Sequence, residues 1–95
     1  MHVNNISLDL FRIFYEIACL SSISKAAEAL YITQPAVSRS IRQLEQRLGY
    51  PLFFRTSRGV QLTQEGEILF HYMTQVFGFL TSAEKKIQQV HNLET

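Results

Sequence analysis

The sequence predicts a mainly α-helical domain carrying one short β-hairpin. Three observations predict it. Apolar residues recur at helical spacing in four separate segments. Two β-prone runs flank a turn that ends in glycine, at Leu52-Phe53-Phe54-Arg55 and Val60-Gln61-Leu62. The last third of the chain holds an unbroken heptad pattern. The 95 residues allow one small domain, and a hydrophobic share of 46% is enough for a packed core.

The first helix is expected over Leu8 to Leu20, after Ser7 as N-cap and with Asp9 near the positive helix end. Leu10, Phe14 and Ile17 form one stripe. Leu8, Phe11, Tyr15 and Ala18 widen it, so the helix must be largely buried. Cys19 lies in this stretch and reads as a small core hydrophobe. Ser21-Ser22-Ile23 ends the helix.

A short second helix follows Ser24 as N-cap and covers 25–30, with Ala26, Ala27 and Leu30 inward. Tyr31-Ile32-Thr33 is too short for anything but a helix-helix turn. Thr33 then caps a third helix with Gln34 and Pro35 in its first turn, where proline costs no hydrogen bond. Val37, Ile41, Leu44 and Leu48 follow steps of four, three and four and fall on one stripe. Pro35, Arg39, Arg42 and Gln46 lie nearly opposite, with Ser38 on a flank. Gly49 and Pro51 stop the helix.

The hairpin carries Arg55 and Arg58 in its turn and flanks. A fourth helix begins after Thr63 and is expected to run to about His91. On it Leu69, Met73, Val76, Leu80, Ala83, Ile87 and Val90 keep a seam over three heptads. A small head cannot cover a helix of that length, so the distal seam needs a partner, and the expected partner is a second copy. Phe70, Tyr72, Phe77 and Phe79 lie off the seam and widen the apolar surface.

Net charge is only +1, but it is unevenly placed. Residues 1–62 hold seven cations against four acids, a balance of +3. Residues 63–95 hold two cations against four acids, a balance of −2. The positive charge is densest over 34–62, with five arginines and one glutamate. A concentrated basic region is what a phosphate-facing surface needs.

Two helices joined by a tight turn, the second with a basic outer face, make a helix-turn-helix, and the basic hairpin makes a wing. The fold expected is a winged helix-turn-helix with a two-stranded β wing and a long C-terminal linker helix. Its second helix fits the major groove of double-stranded DNA, with N-terminal residues at base edges. Gln34 can bond adenine and Arg39 guanine; Ser38 and Thr33 can bond either. The wing arginines can reach a phosphate or a minor groove. The expected DNA-facing set is Ser24, Thr33, Gln34, Pro35, Ser38, Arg39, Arg42, Arg55 and Arg58.

These motifs resemble the LysR-type regulators. The resemblance rests on Ser24-Lys25-Ala26-Ala27-Glu28-Ala29-Leu30, on Thr33-Gln34-Pro35-Ala36-Val37-Ser38-Arg39-Ser40-Ile41, and on Leu44-Glu45 and Leu48-Gly49. Leu52-Phe53-Phe54-Arg55, Arg58-Gly59-Val60 and Leu62-Thr63-Gln64-Glu65-Gly66 are similar to that family's wing and linker start. A molybdate-responsive regulator has a related N-terminal domain, but with a glycine-rich wing unlike Arg55 to Gly59.

The resemblance implies that Gln34, Pro35, Ser38 and Arg39 approach bases or backbone in the groove, and that Arg55 and Arg58 form the basic wing. Thr33 stands where serine is usual and keeps the hydroxyl. Ser21-Ser22-Ile23 departs from the common Gly-Ser-Phe, and Ser40 stands where glutamine is frequent, so the target sequence is not inherited. The seam predicts a dimer, and its two symmetric heads an interrupted palindrome; the resemblance divides the chain into 1–62 as DNA-binding domain (helix-turn-helix about 23–42, wing about 52–62) and 63–95 as dimerisation helix. The resemblance also implies an effector-binding domain that this chain does not contain; a small-molecule inducer would act only through that domain.

Two other classes compete. An enzyme needs a nucleophile with a base, paired acids or a metal cluster. His2, His71 and His91 are scattered, with His2 in an expected frayed tail and the other two expected at the surface, and no Cys/His spacing suits zinc. No catalysis, metal or cofactor is expected. The other rival is a winged-helix protein-interaction module that binds no DNA. One cysteine allows no internal disulfide, and no apolar run reaches a membrane span or a signal sequence, so the expected compartment is the cytoplasm.

Overall fold

The computed structural model describes residues 5–93; the tail expected around His2 lies outside them. The elements in chain order are α1 (Leu8–Leu20), α2 (Ile23–Leu30), α3 (Gln34–Leu48), β1 (Phe53–Thr56), β2 (Gly59–Leu62) and α4 (Gln64–Leu93). The fold is a winged helix-turn-helix followed by one long helix.

Helix α1 is the centre of the head. Ser7 caps it, its Oγ accepting from the Asp9 N–H at 3.2 Å. Leu10, Phe11, Phe14 and Ile17 are buried. Ile6, one residue before the cap, is buried with Phe11 in the same cluster, the placement of a hydrophobic staple that the pattern of α1 alone did not show. Two expected core positions are corrected. Cys19 and Leu8 are exposed. Each stands two residues from a core residue, Ile17 or Leu10, and two residues are about 200° around the helix.

The cap of α2 is also corrected. Ser22, not Ser24, accepts the Lys25 N–H, at 3.1 Å, and the helix starts at Ile23. Ser21 takes the left-handed cap of α1 with φ 54°, so only the two cap residues, Ser21 and Ser22, separate the helices. A cap at Ser24 would leave Ile23 outside the helix; instead Ile23 packs against the core. Ala26 and Ala27 are buried, which lets α2 approach α1 closely.

Helix α2 ends in a Schellman motif. The Tyr31 N–H donates to the Glu28 carbonyl at 3.2 Å and the Ile32 N–H to the Ala27 carbonyl at 3.1 Å. Tyr31 itself has φ 59°. Thr33 then caps α3, its Oγ1 accepting from the Ala36 N–H at 3.3 Å. Val37, Ile41 and Leu44 are buried and Leu48 half-buried. Gly49 ends the helix with φ 91°.

The two strands pair antiparallel, Phe53 with Leu62 through Thr56 with Gly59. Ser57 and Arg58 form the connection without positive φ, and Gly59 takes φ 125° instead. A side chain at Gly59 would stand 2.5 Å from the Ser21 carbonyl oxygen, which accepts the Val60 N–H at 3.3 Å. The end of α1 thus pins the wing. Leu52, expected in the strand, is a fully buried core residue just before it. Its N–H bonds Glu45 and its carbonyl accepts the Thr63 N–H at 3.0 Å, so no ladder bond is left for it.

Helix α4 is capped by Thr63, whose Oγ1 accepts from the Gly66 N–H at 3.0 Å and donates to the Pro51 carbonyl at 2.7 Å. Its first half belongs to the head: Leu69, Phe70 and Met73 pack on the core. Phe77 is buried against Tyr15, ring centroids 5.0 Å apart, with the Arg12 guanidinium 4.6 Å above it. Every residue from Gly78 to Asn92 is exposed. With 30 residues α4 is about 45 Å long, and the longest extent of the molecule is 52 Å.

Candidate nucleic-acid interface

The outer face of α3 is built by what its inner face buries. Val37, Ile41 and Leu44 fix the rotation of the helix about its axis. Arg39, Arg42 and Gln46 therefore point to solvent, as do Gln34 and Pro35 in the first turn. Thr33 is exposed, and its hydroxyl is engaged as the cap. Ser38 is half-buried on the flank.

The wing meets this face at one place. Ser38 and Arg42 of α3 and Phe54 and Arg55 of β1 line a common cleft of about 260 Å³, floored by Ile17, Ile41 and Val60. Two arginines from different elements thus border one recess. Arg58 is exposed at the hairpin tip. Ser24 stands apart, in the first turn of α2, with its Oγ 3.2 Å from that of Ser22.

Glu45 is the residue that sequence reasoning missed. Its Oε2 accepts the N–H of Leu52 at 2.6 Å and that of Phe53 at 3.4 Å. The carboxylate satisfies two backbone donors at the root of the wing and ties β1 to α3. Its partners lie seven and eight residues away across Gly49 and Pro51, and no local pattern marks such a bond.

The seam divides in two. Leu69, Met73 and Val76 are half-buried. Leu80, Ile87 and Val90 are 51%, 59% and 55% exposed, and Ala83 is exposed as well. A second apolar surface lies where α4 meets the head: Ile6, Leu8, Tyr50, Ile68 and Tyr72 border a groove of about 700 Å³. No helix among the described residues is long and apolar enough to cross a membrane.

Comparison with known proteins agrees with this architecture. The model of the family described as "Bacterial regulatory helix-turn-helix protein, lysR family" matches residues 8–67. The chain is 40% identical over 88 residues to a "Probable RuBisCO transcriptional regulator" of Cyanidioschyzon merolae, covering 93% of this chain and 29% of that protein. It is 42% identical over 81 residues to the "Glycine cleavage system transcriptional activator" of Escherichia coli, covering 85% of this chain and 27% of that protein. The chain thus spans less than a third of the length of these curated relatives. Among solved structures, a BenM DBD/catB site 1 DNA complex superposes with a TM-score of 0.81 at 32% identity, covering 90% of this chain and 96% of that one. The cap at Thr33, the proline in the first turn of α3, the wing and the start of α4 all fall inside the matched residues, and the chain belongs to the lysR family of bacterial regulatory helix-turn-helix proteins.

Proposed function

We propose that this chain is the DNA-binding part of a cytoplasmic transcriptional regulator without catalytic activity or cofactor, binding specific double-stranded DNA as a dimer. The observation that carries the reading is the cleft at which Ser38 and Arg42 of α3 meet Arg55 of the wing. A helix entering the major groove brings that cleft against the adjacent backbone, where two guanidinium groups can hold phosphate. Gln34, Pro35, Ser38 and Arg39 then stand at the N-terminal half of α3, the part that reaches base edges. Thr33 orients that half through its cap, and Ser24 lies on the helix that crosses the backbone. Arg55 and Arg58 reach the flanking backbone or minor groove. The DNA in the BenM complex supports the reading.

The exposed distal seam supports dimerisation through residues 63–95. Two heads on one symmetric linker require two half-sites, hence an interrupted palindrome. An inducer would act through an effector domain outside this chain.

A duplex selected from a random pool, titrated by fluorescence anisotropy across a salt series, tests the proposal. Affinity is expected to fall steeply with salt, with a log–log slope of about −0.9 per phosphate contacted. A flat salt response, or no binding by any member of the pool, refutes it and returns the chain to the interaction-module reading.

A further inference from the structure

Tyr31 is in an unusual state for its residue type. It occupies the left-handed position of the Schellman motif that closes α2, with φ 59°. The two hydrogen bonds that close the motif set that conformation, and glycine is its usual occupant. A residue with a Cβ meets its own following carbonyl there. Among the described residues, no packing of its side chain offsets that cost. The side chain is 95% exposed, the most exposed of the large apolar side chains described. Tyr31 thus adds strain and leaves an aromatic ring in water.

Its position is informative. Tyr31 stands two residues before Thr33, the cap of α3, on the turn that delivers Gln34 and Pro35 to their exposed places. When the N-terminus of such a helix enters a major groove, the turn before it lies over the rim, where the sugar–phosphate chain runs. A tyrosine suits that rim. Its ring offers an apolar face to a deoxyribose, and its hydroxyl is a donor of the kind that phosphate oxygens take.

We propose that Tyr31 is a DNA-backbone contact, its ring against a deoxyribose and its hydroxyl donating to a phosphate oxygen at the edge of the groove that α3 enters. The proposal rests on the DNA-binding reading above and adds a positioning contact to it. Such a contact fixes how α3 is seated and carries no base preference of its own.

The test uses the 95-residue chain with two duplexes of equal length, one selected from a random pool and one of random sequence. Tyr31→Phe removes the hydroxyl and is expected to weaken binding to both by a similar factor, about 5-fold. Tyr31→Asn removes the ring as well but keeps a residue that tolerates positive φ. Its thermal midpoint is expected to stay or rise while binding to both duplexes falls by about 10-fold or more. The chain has no tryptophan, so Tyr31→Trp places a single fluorophore at the site. Acrylamide quenching of that indole is expected to fall when DNA is added to saturation.

Wild-type affinity in Tyr31→Asn, or an indole that stays equally quenchable in the complex, overturns the proposal. A loss confined to the selected duplex overturns the backbone assignment in favour of a base contact. If the wild-type chain binds neither duplex at low salt, the DNA-binding reading falls and takes this one with it. Normal wild-type binding with insensitive Tyr31 variants overturns this proposal alone.

Discussion

Glu45 of α3 and Leu52 at the root of the wing are joined by a 2.6 Å hydrogen bond from the Leu52 N–H to Oε2. The same oxygen accepts the Phe53 N–H at 3.4 Å. The helix that would read DNA is therefore tied directly to the root of the hairpin that would flank it. Glu45→Ala strands a part-buried backbone donor, and is expected to lower stability by about 1–3 kcal/mol in urea denaturation. Glu45→Gln keeps an acceptor at the same reach and should recover part of the loss. An unchanged midpoint in Glu45→Ala would show that the bond contributes nothing net.

Two glycines of α4 give opposite expectations. A Cβ at Gly66 would run into the carbonyl of Leu52 and the side chain of Leu62. That carbonyl already accepts the Thr63 N–H, so it cannot turn away without breaking the start of α4. Gly66→Ala is expected to cost at least about 2 kcal/mol by overpacking. Gly78 is mid-helix, exposed, and would place its Cβ within 4 Å of nothing. Gly78→Ala is expected to stabilise by about 0.5–1 kcal/mol through helix propensity. Thermal melts of the two variants, shifting in opposite directions, check the pair.

These cases mark what was legible in the sequence. Periodicity and cap chemistry are local, so the span of α1, the Thr33 cap, the inner stripe of α3 and the Gly49 stop could be read directly. Three serines at 21, 22 and 24 make the cap of α2 locally degenerate; only the packing of Ile23 selects Ser22. The wide apolar face of α1 takes in Leu8, and Cys19 reads as a core residue, because composition there is apolar almost all round, and only the contacts with α2 and α3 say which side is inside. Glu45 and Gly66 act on backbone that chain reversal brings near, and Tyr31 is set by a hydrogen-bond motif glycine would have announced. At the candidate interface the residue types were legible and their grouping was not: that Ser38, Arg42 and Arg55 share one cleft follows from the wing's attachment.

The arginines and Gln34 should separate by what they touch. Gln34→Ala or Arg39→Ala is expected to weaken binding to a selected duplex more than to a random one, by about 1–3 kcal/mol where the contact is to a base. Arg58→Ala, at the hairpin tip, should weaken both duplexes alike if it holds phosphate, and reduce the salt slope by about one contact. Anisotropy titrations of both duplexes at three salt concentrations measure the two effects together. Sequence-dependent loss in Arg58→Ala would mean that the wing reads the groove.

The distal seam offers a separation of folding from assembly. Leu80 and Ile87 are more than half exposed in the single chain, whereas Met73, on the same seam, packs against the core of its own head. A charge at Met73 would disturb folding and assembly together. Leu80 and Ile87 lie in the exposed part of α4 beyond Phe77, so with Leu80→Glu and Ile87→Glu the head should keep most of its thermal midpoint apart from any stabilisation that dimerisation itself supplies. In a two-stranded seam, each charge would be buried without a partner, which costs several kcal/mol per site. Light scattering is therefore expected to give a dimer for the wild-type chain and a folded monomer for the double variant. The monomer should bind a single half-site weakly and lose its preference for the full palindrome. A dimer that survives both substitutions would place the interface elsewhere, with the apolar groove at Leu8 and Tyr72 the next surface to test.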